Sequence, residues 1–234
     1  MTAFRFKKFE INQEKSAMKI GTDGVLLGAW ANYDKPNYIL DIGSGTGVIS
    51  LMLAQRFVNS KIVGVEAEPN AYEESTQNAK KSIFNERIEI VNAKIQDFTS
   101  KVKFDLIVSN PPFFIDSQKS GNEARNSARH NDGLTFEELI HSVQENLSDE
   151  GLFSVVLPEN EFKLLKSIAN NNGLFLNICC YVYPNPGKPV KRILGSFSRI
   201  NKNLKKEHLT IELDARHKYS DEYKELCKDF YLKF

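Results

Sequence analysis

The sequence predicts an α/β fold: a seven-stranded, mostly parallel sheet with helices on both faces and a C-terminal antiparallel hairpin. Short apolar runs alternate with longer segments of helical period, the pattern of parallel strands joined by crossover helices. A glycine-rich turn, Gly43-Ser44-Gly45-Thr46-Gly47, stands between the first apolar run and the first helical one. Near the C-terminal end, two apolar runs flank Pro184-Asn185-Pro186-Gly187, a turn-forming tetrapeptide.

In chain order, 38–42, 61–66, 88–92 and 104–109 read as the first four strands. Residues 47–57 and 69–83 read as the helices between them, the second opened by Pro69, whose missing N–H costs nothing in a first turn. A helix at 136–147, with Gly151 as its stop signal, precedes a fifth strand at 152–157. Strands at 175–182 and 191–199 form the hairpin, and the aromatic tail after His208 is expected to close the domain as a helix. Residues 115–134 are polar and aperiodic. A loop of that length beyond a strand's C-terminal end is expected to be functional, because ligands of open α/β sheets sit at that edge.

Of the 234 residues, 41% are hydrophobic and 26% charged, enough to bury the core of one domain. No run has the length of a membrane span, and Met1–Lys8 is aromatic and basic rather than a secretory signal, so a cytoplasmic protein is expected. Cys179, Cys180 and Cys227 lack a ligand spacing and read as reduced packing residues, with no metal expected. The net charge is +1, which excludes a uniformly basic body. Between Pro184 and Lys206, however, stand seven basic residues (Lys188, Lys191, Arg192, Arg199, Lys202, Lys205 and Lys206) and no acidic one. Such a run attracts a polyanion, or else protects a solvated strand edge from aggregation.

Two motifs carry chemistry. In Asp41-Ile42-Gly43-Ser44-Gly45-Thr46-Gly47 a strand ends and a helix opens, with glycines that let the backbone lie close to a ligand. The dinucleotide fingerprint would need glycine at position 48, where Val48 stands, and Asp41 would repel a pyrophosphate but suits a cationic amino-acid ligand. Glu66 closes the second strand, where a carboxylate can accept from both hydroxyls of a ribose. The second motif, Asn110-Pro111-Pro112-Phe113, follows the fourth strand. A planar amino nitrogen is a poor nucleophile because its lone pair is delocalised. If the Asn110 side-chain oxygen and the Pro111 carbonyl each accept one amino hydrogen, the nitrogen is drawn toward tetrahedral geometry and its lone pair is freed. The prolines fix those acceptors in advance, and Phe113 offers a face for a flipped base.

With both motifs at the ends of alternate strands, the chain resembles class I, Rossmann-like methyltransferases of the amino-nitrogen group. Phe4-Arg5-Phe6-Lys7 and the run from Met18 through Thr22-Asp23-Gly24 to Trp30 are similar to the bacterial tRNA1(Val) adenine-N6-methyltransferases, and the likeness extends to about Arg199. The resemblance implies a methyl donor, S-adenosylmethionine, converted to S-adenosylhomocysteine, and an acceptor N6 on an adenosine in tRNA, the one 3′ of the anticodon in tRNA1(Val). It implies a cofactor set of Thr22, Asp23, Gly24, Asp41, Gly43, Ser44, Gly45, Gly47, Glu66, Ala67, Ile95 and Asn110, with Asn110, Pro111, Pro112 and Phe113 catalytic. Lys94 stands where many relatives carry an acidic contact to the cofactor's adenine, leaving Asp97 as the nearest acceptor.

RNA contacts are expected from Arg125 and Arg129 in the long loop and from Lys188, Lys191 and Arg192; His130 reads as an ordinary loop histidine. Residues 1–35 are expected to be an extension covering the cleft and 36–234 the methyltransferase domain, acting as a monomer. Three other readings share the motifs: a protein glutamine methyltransferase, which usually has an N-terminal helical domain; a DNA adenine methyltransferase, which generally adds a recognition domain; and an inactive protein that binds cofactor and RNA.

Overall fold

The computed structural model describes residues 3–16, 18–112 and 133–234. A small hairpin of β1 (Phe4–Arg5) and β2 (Glu10–Ile11) precedes α1 (Thr22–Trp30). Then follow β3 (Tyr38–Ile42), α2 (Val48–Arg56), β4 (Lys61–Glu66), α3 (Pro69–Lys81), β5 (Ile88–Asn92) and β6 (Phe104–Ser109). The chain continues through α4 (Phe136–Asn146), β7 (Leu147–Leu157), α5 (Glu159–Asn171), β8 (Phe175–Tyr183), β9 (Arg192–Ser198), β10 (Lys205–Thr210) and α6 (Asp221–Cys227).

Among the described residues the central sheet, in the order β10-β8-β9-β7-β6-β3-β4-β5, has eight strands rather than the expected seven. The additional one is β10, which pairs in parallel with β8. Its sequence, KKEHLT, hides the strand because an edge strand needs little apolar surface, and Lys205 and Lys206 are the exposed lysines that protect such an edge. Only β9 runs against its neighbours, β7 and β8. A second difference lies at Gly151, which stops no helix: α4 ends at Asn146, and Gly151 lies inside β7, where a Cβ would come within 2.7 Å of Leu147 Cδ1.

Helices α1, α2 and α6 cover one face of the sheet with the N-terminal hairpin, and α4 and α5 cover the other. The inner strands β3 and β6 read as continuous apolar runs because both faces are buried; Ile39, Leu40, Leu106 and Ile107 are all fully enclosed. Helix α1 lies in the main core, with Val25, Leu26 and Leu27 inaccessible, and it crosses α2 so closely that a Cβ on Gly28 would lie 2.8 Å from Met52 Sδ. Helix starts are set by local chemistry: the Glu68 carboxylate accepts from the Asn70 and Ala71 N–H groups, and Thr135 with Glu138 forms a reciprocal capping box.

After β3 the chain adds β4 and β5 on one side, then crosses back to place β6 on the other. The C-terminal ends of β3 and β6 therefore flank the switch point of the sheet, where an open α/β fold leaves a crevice.

Candidate active site

The crevice is lined by three strand ends in register. Ile42 pairs with Ser109 and Glu66 with Asn92, so the glycine turn, the segment after Glu66 and the residues after Ser109 leave the sheet at one level. The buried Ser109 hydroxyl donates to the Ile42 carbonyl at 3.0 Å and fixes the spacing between the turn and Asn110.

The turn adopts left-handed backbone at Gly43 (φ +73°), Gly45 (φ +56°) and Gly47 (φ +81°). At Gly47 the requirement is also steric, since a Cβ would lie 3.3 Å from that of Ser75 on α3. Gly43 is exposed, and nothing within 4 Å would meet a Cβ there, so its backbone faces open space. The Gly43 and Ser44 N–H groups donate to Val65 O at 2.9 and 3.2 Å, and Gly45 N–H donates to Glu66 Oε2 at 2.8 Å. Glu66 thus shapes the turn as well as facing the crevice. Its other oxygen accepts from Glu68 N–H at 2.9 Å, and Asn92 Nδ2 holds the following backbone by donating to Glu66 O at 2.8 Å.

Asp41 lies fully buried beneath the turn. The Ser50 hydroxyl donates to its Oδ2 at 2.6 Å, whereas Oδ1 is buried without a hydrogen-bond partner among the described residues. Burial pushes this carboxyl up to about 7, against the opposing Ser50 hydrogen bond and with help from the charge of Glu66. A cation arriving above the turn would pull it back toward the ionised form.

Asn110 is half-buried, and its side-chain oxygen likewise has no hydrogen-bond partner among the described residues. Gly24 of α1 packs beside it: a Cβ there would lie 3.9 Å from Asn110 Nδ2. Pro111 is buried and Pro112 exposed. Ile95, in a 3-10 turn spanning Ile95–Asp97, is buried in the core, while Lys94 and Asp97 are exposed.

The family follows from sequence likeness over the whole chain. A tRNA1(Val) (adenine(37)-N6)-methyltransferase of Pseudoalteromonas translucida is 44% identical over 233 residues covering 100% of both chains, and one of Bacteroides fragilis is 45% identical over 98% of both. This chain belongs to that family. The general family model that its sequence matches, the methyltransferase small domain, spans residues 20–168. The methyltransferase fold is also shared with solved structures. A predicted O-methyltransferase from Agrobacterium tumefaciens superposes with a TM-score of 0.69 at 17% identity, covering 89% of this chain and 96% of its own. TYW2 of P. horikoshii, solved in complex with MeSAdo, gives 0.59 at 14% identity over 84% and 70%.

Asp41, Gly43, Ser44, Gly45, Gly47, Glu66, Gly24 and Asn110 gather at the crevice of this family member. Ala67 is exposed just beyond β4, where its carbonyl accepts from Asn92 Nδ2 at 3.3 Å. Thr22 is exposed at the start of α1; Asp23 beside it holds Arg192 in an ion pair at 2.7 Å, so a residue expected at the cofactor and one expected at RNA engage each other. Lys188 and Lys191 are exposed beside β9. Phe113, Arg125, Arg129 and His130, and all but the end of the expected loop, lie outside the described residues.

Sequence reasoning missed the fastening of the N-terminal segment. Glu74 of α3, 3% exposed, accepts from the backbone N–H groups of Glu14, Lys15 and Ser16. Burial works to raise its carboxyl, but the hydrogen bonds from Ser16, Lys15 and Glu14 outweigh it and hold it below the ordinary carboxylate value. One turn on, Asn78 Nδ2 donates to both Asn12 O and Thr46 O at 2.9 Å, joining that segment to the glycine turn. A polar pair one helical turn apart gives no sequence signal separate from a solvated face.

Proposed function

We infer that this chain transfers a methyl group from S-adenosylmethionine to the exocyclic N6 of an adenosine in tRNA, the one 3′ of the anticodon in tRNA1(Val). The observation that carries the reading is the Asn110 side-chain oxygen, an acceptor without a donor among the described residues at the end of β6, set against a glycine turn with an exposed backbone. The residues fit the cofactor. Gly43 leaves room for close approach, the unpartnered Asp41 Oδ1 beneath the turn favours a cationic amino-acid group, and Glu66 retains lone pairs for ribose hydroxyls. Thr22, Asp23, Gly24, Ser44, Gly45, Gly47, Ala67 and Ile95 complete the proposed cofactor wall, and residues 1–35 act as its cover.

When bound, the cofactor supplies an electrophilic methyl group on a sulfonium. The protein's task is to make the amino nitrogen nucleophilic. Asn110 Oδ1 and the Pro111 carbonyl accept one N6 hydrogen each, Pro112 stiffens the turn and Phe113 stacks on the base. The acceptors are oriented before the substrate arrives, so no reorganisation is needed as charge develops on nitrogen. Related proteins named for adenine(37) of tRNA1(Val), 44–45% identical over essentially the whole chain, support the same acceptor. The reading carries with it a cytoplasmic monomer whose partner is tRNA.

Incubation with tritiated S-adenosylmethionine and unmodified tRNA, followed by digestion to nucleosides, tests it. Label is expected in N6-methyladenosine, reduced about 10²–10³-fold by Asn110→Ala, with cofactor affinity retained in calorimetry. Label confined to a protein fraction would refute it in favour of a glutamine acceptor.

A further inference from the structure

A concavity of about 900 Å³ lies beside the crevice rather than in it. Val182 and Pro184 from the end of β8, Lys191 and Arg192 before and at the start of β9, and Ile211 beyond β10 line one side. Val182 pairs with Arg192, and β10 runs parallel to β8, so these residues leave the sheet together. Because β8 runs antiparallel to β9, which runs antiparallel to β7, and β7 is parallel to β6, the same edge carries Asn110. The first turn of α1 bridges the two: Thr22 and Asp23 line the concavity, and Gly24 lies beside Asn110.

The opposite wall comes from both ends of the chain. Phe4 and Arg5 meet Tyr219, Tyr231, Lys233 and Phe234, with the Tyr231 and Phe234 rings 5.1 Å apart and Tyr219 and Phe234 5.0 Å apart, each edge-on. Its charges are unbalanced in one direction. Asp23 is held by Arg192, and Glu212 accepts from His217 N–H at 2.9 Å, so the acidic side chains are already engaged. Lys191, Arg216 and Lys233 have no carboxylate within ion-pair distance among the described residues. A concavity that joins cations without counter-ions among the described residues to partly exposed aromatic faces suits a polyanion with stackable bases better than an acidic protein, whose carboxylates would meet the cations but leave the exposed ring faces uncovered.

We propose that this cleft, built jointly by the N-terminal hairpin, the start of α1, the 184–192 turn and the C-terminal tail, docks the RNA strand that carries the target base. Lys191, Arg216 and Lys233 neutralise its phosphates, and Tyr219 and Phe234 pack against a flanking nucleotide. This rests on the tRNA reading above and extends the expected basic contacts to chain ends that the sequence does not bring together.

The test is fluorescence anisotropy of an anticodon stem-loop RNA across a potassium chloride series, with the wild-type protein, Arg216→Ala/Lys233→Ala, Arg216→Lys/Lys233→Arg, and Lys101→Ala as a single charge loss before β6 at the opposite edge. Two lost phosphate contacts flatten the slope of log affinity against log salt by about 1.5, at about 0.7–0.9 each, with about a tenfold loss near 0.1 M salt. The charge-preserving pair and Lys101→Ala keep the wild-type slope, and calorimetric cofactor affinity stays unchanged in all, which shows that the variants fold. An unchanged slope in the double alanine variant, with wild-type methylation of tRNA intact, overturns the cleft alone. Failure of the wild type to bind or methylate RNA overturns both the cleft and the reading beneath it.

Discussion

Replacing Asp41 with asparagine removes a carboxyl that burial has pushed from 3.8 up to about 7 while leaving an acceptor for the Ser50 hydroxyl. Because the folded-state value lies above the unfolded one, the folded protein holds the proton more tightly. The cost of ionising Asp41 is therefore absent below about pH 4, grows between the two values, and is complete above about pH 7. Three pKa units correspond to about 4 kcal/mol, the ceiling on what the substitution recovers. For a domain of this size, about 2–4 °C per kcal/mol sets a ceiling near 8–16 °C. Thermal denaturation of both proteins without cofactor, from pH 4 to pH 8.5, should show coincident midpoints at the acid end and a rising advantage for Asp41→Asn that levels off above pH 7. Cofactor binding should respond in the opposite sense. Wild-type affinity falls by up to about tenfold per unit below pH 7, as the carboxylate that favours a cation is lost, and the variant binds weakly at every pH. A midpoint difference independent of pH would refute the assignment of a buried, titrating carboxyl to this position.

Two other perturbations follow from buried polar contacts. Glu74→Gln, which weakens the acceptor for the N–H groups of Glu14, Lys15 and Ser16, should cost about 1–3 kcal/mol in chemical denaturation at pH 7. Because the wild-type carboxyl is held below 4.5, that deficit should narrow as pH falls through the carboxylate range. Arg56 donates to the Gly28 and Ala31 carbonyls at the end of α1, and burial lowers its guanidinium to about 10, so it stays charged at neutral pH. Arg56→Met leaves those carbonyls without their donor and should lose about 2–3 kcal/mol, with Arg56→Lys recovering part of it in the same assay.

Strands β3 to β6 begin and end where the apolar runs do: β3 and β6, inside the sheet, need apolar residues along nearly their whole length, while β5, at the edge, keeps only partly buried Ile88, Ile90 and Val91. The glycine turn and the Asn110 tetrapeptide were legible for a similar reason: each needs special backbone at a strand end, and Gly43, Gly45, Gly47, Pro111 and Pro112 are the residues that supply it. Other parts were hidden by their chemistry. Helix α1 is buried almost all round, so VLLGAW has no amphipathic period, and it reads as part of an extension rather than as core. Strand β10 is polar because it lies at the edge. The Asp23–Arg192 pair and the cleft join residues far apart in sequence, and spacing along a chain cannot show which charges meet across a sheet edge.

The aromatic hairpin at the start of the chain rests on its end. Lys7 N–H donates to Phe230 O at 2.8 Å, Lys7 Nζ donates to the Phe234 carbonyl 227 residues away, and the Phe6 and Tyr231 rings stack with centroids 5.8 Å apart. At roughly 5–20 residues per second, the ribosome takes about 10–45 s to supply those partners. Throughout that interval the β1–β2 rings have no tail to pack against. The surface proposed to hold RNA is thus complete only once the residues from Phe230 to Phe234 have been made and have folded back, so a nascent chain that still lacks them does not present it.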